Sequence, residues 1–312
     1  MNQALGISMI LVFCLSQAFR DVYLGAVFQQ VDFFAVILLA FIPSTLIFGL
    51  FVFVRHHGNL RALRNHAGTV AAMNVTTALA WTSYFFGLAH IEPAVVNTLH
   101  SGVAPLTVVA LSALGFSIAG SHKVRFLEAL FLAGMTVTLA GLWWAVLSGR
   151  TGAPAGSDLA MIAALALLIL SGASITISHL FSRKLAVAGI DAATITSSRY
   201  ILIVAAASVF LLMRERPSGI ESFGHGVLLS VAAGLLIALP LYALQIGIAH
   251  TPQLMAHVLR AAGPVFVFAL ERFDGRLTWT ATVLTLIVAY SIFVSGANIA
   301  HVRATRAPEQ NT

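Results

Sequence analysis

Ten windows of about 20 largely apolar residues recur along the chain, separated by short breaks marked by charges, glycine or proline. They fall at roughly 4 to 26, 31 to 54, 67 to 89, 93 to 117, 125 to 148, 158 to 181, 190 to 213, 224 to 249, 252 to 271 and 277 to 300, with ends good to about 2 to 4 residues. A helix of that length crosses a hydrocarbon core about 30 Å thick and closes its backbone hydrogen bonds within itself, as lipid demands. Of the 312 residues, 59% are hydrophobic and 9% charged, against about 25% charged in soluble domains. Too little polar surface remains to cover a water-soluble fold. The expectation is an all-α membrane protein with ten transmembrane helices, and the lipid bilayer as an obligatory partner.

The net charge of +6 does not point to nucleic acid, because the basic residues are scattered singly between apolar runs. Their distribution reads as topology. With the N-terminus inside, the inner loops and tail hold Arg55, Arg61, Arg64, Lys123, Arg125, Arg183, Lys184, Arg303 and Arg306, and the outer loops hold Arg20, Arg150, Arg214, Arg216, Arg272 and Arg276. Such an inner excess places both termini in the cytoplasm, and for a bacterial source the membrane is the inner one. Asp21, Asp32, Glu92, Asp158, Glu215, Glu221, Glu271 and Asp274 then fall outside. Met1-Asn2-Gln3 brings no basic n-region, and the apolar stretch after it runs past signal-peptide length, so the first window is read as a retained span. Cys14 is the single cysteine, which excludes an intrachain disulfide and a Cys-based zinc site.

The chain matches itself at a shift of about 159 residues, the kind of self-similarity that marks a duplicated unit. Val31-Asp32-Phe33 pairs with Ile190-Asp191-Ala192, each Asp at a helix N-cap position. Gly87-Leu88-Ala89-His90 pairs with Gly247-Ile248-Ala249-His250 after a one-residue slip, and Pro93 and Pro105 pair with Pro252 and Pro264. Each half holds five windows, an odd number, so the second half enters the membrane the other way up: an inverted repeat, with a site expected near the midplane between halves. The division is 1–148 for the first five-helix repeat, 149–157 for a linker, 158–302 for the second and 303–312 for a cytoplasmic tail.

With these features the chain resembles the drug/metabolite transporter superfamily, in particular its EamA-like ten-helix carriers. The resemblance rests on the two five-helix repeats, on Tyr84-Phe85-Phe86-Gly87-Leu88-Ala89 leading into Pro93, and on the helices carrying Pro105 and Pro264. Such carriers tend to hold an Arg-aromatic pair in the second helix of each repeat; here Arg199-Tyr200 stands in the second half and Ala40-Phe41 in the first. The acidic residue common after a repeat's fourth helix is absent near Gly115-Phe116, while Glu271 and Asp274 occupy the corresponding end of the second half. What the resemblance implies is export or import of small metabolites, with the first four helices of each half lining the path and the fifth serving as scaffold or homodimer contact.

Two arginines stand out inside windows. Arg199 lies about nine residues into its span and Arg260 about eight, roughly 14 and 12 Å deep at the helical rise. A guanidinium at that depth costs about 2.5 to 3.5 kcal/mol on insertion scales and needs water, carbonyls or an anionic ligand. Either residue can grip a carboxylate or phosphate in bidentate fashion or pin helices through backbone carbonyls. His257, Arg260, Ala261 and Pro264 share one helix face by their spacing. Thr98, Ser101 and Pro105 form the equivalent stripe of the fourth helix, with Asn97 and His100 beside it. A mid-span proline frees a carbonyl that a wet cavity or a neighbour must satisfy. His100 and His257 suit proton coupling, since imidazole titrates near working pH, or a hydrogen bond across a helix interface. Asn74, Thr77, Trp81 and Tyr84 line one face of the third helix, and Tyr242 and Gln245 follow Pro240 in the eighth. Aromatics with a polar tip fit a pocket wall or an interfacial belt.

No Walker loop, GxGxxG turn, HExxH or metal-spaced His and carboxylate cluster is present, so neither a nucleotide cofactor nor a metal is expected. The reading is a secondary transporter, acting as an exporter rather than an enzyme. It moves a small anionic or zwitterionic metabolite, such as an amino acid, by alternating access. Lipid flipping and, further off, a membrane-embedded transferase are the alternatives.

Overall fold

The computed structural model describes residues 3–28, 32–55, 62–116, 124–152, 158–213 and 253–306, together with 236, 237, 240, 243, 244, 246, 247, 250 and 251. Among the described residues the chain is all-helical. The helices are α1 (Gln3–Val27), α2 (Phe33–Arg55), α3 (Ala67–His90), α4 (Pro93–Ala113), α5 (Phe126–Leu147), α6 (Asp158–Val187), α7 (Ala192–Arg199), α8 (Ile201–Met213), α9 (Gln253–Ala261), α10 (Gly263–Leu270) and α11 (Ala281–Arg306). Seven helical stretches are long and apolar enough to span a membrane: α1, α2, α4, α5, α6, the α7–α8 pair and α11. This is an integral membrane architecture. The third window is the 24-residue α3, whose Asn74, Thr76 and Thr77 make it more polar. Most of the eighth window lies outside the described residues.

Local chemistry sets the helix ends. Asp32 Oδ1 accepts from the amides of Phe34 and Ala35 at 2.9 and 3.3 Å, and Asp191 accepts from Thr194 N at 2.9 Å, so both expected N-caps form. At the other ends of α5 and α6 the chain turns through Gly149 and Gly189, at φ 65° and 86°. Each closes a paired 6→1 and 5→2 hydrogen-bond motif that glycine enters without steric cost.

The core lies where α3 and α4 pack on α6, closed on the other side by α1, α10 and α11. Small residues let these helices approach closely, as is usual in membranes. A Cβ on Gly172 would come 2.4 Å from the carbonyl oxygen of His100, and one on Gly87 would meet Leu168 at 2.6 Å. Helices α5 and α11 interlock reciprocally. Phe293 fills the notch at Gly134 and Phe131 fills the notch at Gly296, each 2.4 Å from where a Cβ would stand. The two Phe-x-x-Gly motifs therefore meet antiparallel, about a local two-fold axis.

Because both notches are occupied by rings, Gly134→Val and Gly296→Val should each lower stability by about 1 to 3 kcal/mol through overpacking. Thermal unfolding in detergent checks this. Near-equal losses are expected from the reciprocal geometry.

Candidate functional site

At the centre of the bundle a carboxylate is wholly enclosed. Asp21, on α1, has 0% exposure and Arg20 beside it 6%. Arg20 donates from Nε and Nη2 to Asp21 Oδ1 at 2.9 and 2.6 Å. On the other oxygen, Oδ2, Tyr84 Oη donates at 2.7 Å and Asn97 Nδ2 at 2.8 Å. The guanidinium also lies over Trp81 and Tyr84, 5.2 and 5.8 Å from the ring centres, a favourable cation–π placement. One buried acid thus joins α1, α3 and α4, and all four donor contacts are charge-assisted.

Next to it His100 Nδ1 lies 2.9 Å from Ser171 Oγ. Ser171 donates its hydroxyl hydrogen to the Ala80 carbonyl at 2.7 Å, so His100 must be the donor, which fixes the Nδ1–H tautomer. The close approach at Gly172 brings α4 and α6 near enough for this bond.

Arg199 is positioned by a break in its own helix. In an unbroken helix Leu202 N would donate to Ser198 O. Instead Asn74 of α3 inserts: its Nδ2 donates to Ser198 O at 2.7 Å, and its Oδ1 accepts from Leu202 N at 3.1 Å. A side chain that replaces one rung of the ladder opens the helix there, and the turn falls at Tyr200, between α7 and α8. The Arg199 guanidinium then reaches Thr77 Oγ1 at 3.2 Å and Ser178 Oγ at 3.1 Å. Both are neutral hydroxyls, so its charge is solvated but not neutralised.

Arg260 is different again. Among the described residues no acceptor or carboxylate engages its guanidinium, which sits 5.7 Å from the Phe13 ring centre. It is exposed, and the groups within its electrostatic reach are the buried Cys14 on α1 and Tyr290 on α11, and His179 on α6. His179 is also exposed and feels Arg199, Arg260 and His100 together. Arg199 and Arg260 thus both stand within electrostatic reach of His179.

The expected site residues divide accordingly. Trp81, Tyr84, Asn97 and His100 come together around Asp21, with Tyr84 and Asn97 buried and spent on it. Ser101 is partly exposed on α4. Tyr242, Gln245 and the His257 side chain lie outside the described residues. The expected face from His257 to Pro264 is interrupted, because the chain turns at Ala262 and Pro264 sits in the first turn of α10, where no amide is missed. The Ala261 carbonyl left free there accepts from Ser291 Oγ at 2.9 Å, so a neighbouring helix satisfies it.

One placement corrects the sequence reading, and the burial of two loop acids adds to it. Arg20 and Asp21, counted with the outer loops, lie within α1, which continues to Val27 because their charges cancel. Glu92 and Glu271, also read as outer-loop acids, are 1% exposed. The available signal for the first pair was two adjacent opposite charges inside an apolar window. Nothing local signalled His179.

No family model matches the chain, and no curated protein matches it. A solved crystal structure described only as that of a protein aligns at 17% identity, covering 95% of this chain and 99% of the other, with a TM-score of 0.63. At that identity the likeness concerns the fold alone.

Removing one member of the central network should cost according to what it leaves buried. Asp21→Asn strands the Arg20 charge and should lose about 3 to 5 kcal/mol. Tyr84→Phe removes one donor and should lose about 0.5 to 1.5 kcal/mol. Thermal midpoints of the two purified variants test the order.

Proposed function

We propose that the chain is a secondary transporter of the EamA-like, drug/metabolite transporter type, with ten helices in two inverted repeats. It exports a small anionic or zwitterionic metabolite across the inner membrane by alternating access, with both termini cytoplasmic. The observation that carries this is Arg260, an exposed guanidinium at the end of α9 without an acceptor among the described residues, which the apolar window around it would carry to mid-membrane depth. Leaving such a charge unmatched is costly in lipid, and an anionic ligand is the partner that would offset it. Arg199, bonded to hydroxyls among the described residues, offers a second positive group, with His179 in the reach of both. The reciprocal α5–α11 contact supports the inverted repeat, since a two-fold axis across antiparallel equivalents is what such a duplication produces.

The substrate's carboxylate or phosphate would bind Arg260 and Arg199, with Trp81, Ser101, His257, Tyr242 and Gln245 as further contacts. An ammonium group on a zwitterion would have to compete with Tyr84 or Asn97 for Asp21 Oδ2. His100 and His257 are the proton-coupling candidates among the histidines.

The test is thermal stabilisation against organic acids, amino acids and phosphorylated metabolites, followed by flux in liposomes. A ligand at 100 times its Kd adds about 2.7 kcal/mol. Anions should stabilise the wild type and be transported, and Arg260→Ala should lose both responses. Stabilisation of both proteins by lipids alone, without flux of any anion, would replace this reading with lipid flipping.

A further inference from the structure

Glu92 and Glu271 come from different halves of the sequence and meet at the end of the bundle where α3 stops and α4 begins. Each is 1% exposed. Glu92 Oε2 accepts from Gly152 N at 2.7 Å, and Glu271 Oε1 accepts from Ala94 N at 2.7 Å. The two carboxyl groups are within hydrogen-bonding reach of each other. Glu271 Oε2 is buried, and no N–H or O–H among the described residues donates to it. Two carboxylates in contact offer only acceptors, so the contact holds only if a proton lies between them.

Among the described residues, no cation engages the pair. Asp274, three residues on, adds negative charge toward Glu271. Although partial burial pushes its carboxyl up, hydrogen bonds from Arg276 hold it below the usual range. Arg276 is engaged by Asp274 and by the Gly25 carbonyl. Arg272 is exposed, Arg150 lies over the Trp144 ring at 4.4 Å, and His90 is bonded to Phe86 O. The two amides that reach the pair tie it to the linker side and to the first turn of α4, and Gly152 O in turn accepts from Thr278 N at 3.0 Å ahead of α11.

We propose that Glu92 and Glu271 form a proton-binding site, in which one shared proton fastens the two halves together at this end of the bundle and its loss loosens that closure. Burial pushes both carboxyls up, in keeping with this. A carboxyl raised in the folded state contributes stability that is fully present below the ordinary carboxylate range and is lost as pH rises through the folded value. The site stands on this geometry; only its consequence, a proton-operated gate, rests on the transporter reading.

The experiment uses the purified full chain in detergent, without substrate. Infrared difference spectra between neutral and alkaline pH follow the protonated-carboxyl band, and thermal midpoints are recorded over the same interval. In the wild type the band should disappear and the midpoint fall together. Glu92→Gln and Glu271→Gln each replace the shared proton with an amide donor, so in either one the band change should be lost and the midpoint should no longer follow pH. Survival of the band change in a folded variant, or a wild-type midpoint that is flat or rises with pH, would overturn the site. So would sodium chloride restoring wild-type stability at alkaline pH where choline chloride does not, since a metal cation would then be the occupant. Anion binding at Arg260 is not read by these measurements, so failure here and failure of the transporter reading are separable.

Discussion

A carboxylate with no exposure, in the last third of a membrane-spanning helix, has to be matched before anything around it can pack. Asp21 is matched by Arg20, Tyr84 and Asn97, and those partners fix how α1, α3 and α4 stand against one another. Ionised groups are expensive in a low-dielectric interior unless paired and hydrogen-bonded. The pairing here is complete on both oxygens. Tyr84 and Asn97 therefore serve the framework, and the rings of Trp81 and Tyr84 cover the arginine.

The same cost explains why the remaining arginines differ. Arg199 reaches its hydroxyls because Asn74 opens the helix behind it, a local defect that sacrifices one backbone hydrogen bond and replaces it with two to the asparagine side chain. Arg260 sits two residues before a second break, at Ala262, where Ser291 takes up a carbonyl left free. Both interrupted helices carry their guanidinium at the interruption. Breaks of this kind are tolerated in membranes only where neighbours re-satisfy the backbone, and here the neighbours are identifiable side chains.

Much of the architecture was legible in sequence. Continuous apolar windows require helices, Asp32 and Asp191 mark two starts, and the spacing of windows gives the order of elements. The mid-span arginines were legible as well, because charge inside such a window has no cheap resting place. Arg20 and Asp21 were misplaced because a neutral pair near a window's end looks like the beginning of a loop. That the loop acids Glu92 and Glu271 are buried was not legible, because loop acids are ordinarily solvated and their partners, Gly152 N and Ala94 N, are backbone groups with no signature in sequence. Asn74 was noticed as part of a polar face, but no periodicity foretells which backbone rung a side chain on another helix will replace.

The sequence by itself determined the solvent this protein folds in, its helical class and the positions of its unavoidable charges, since those follow from hydropathy and from the span length a bilayer imposes. Only the tertiary structure decided which charges are spent on one another and which are left to act. That depends on contacts between residues more than 60 positions apart, such as Tyr84 with Asp21 and Glu271 with Ala94, and on the glycine notches that let the helices come close enough to make them.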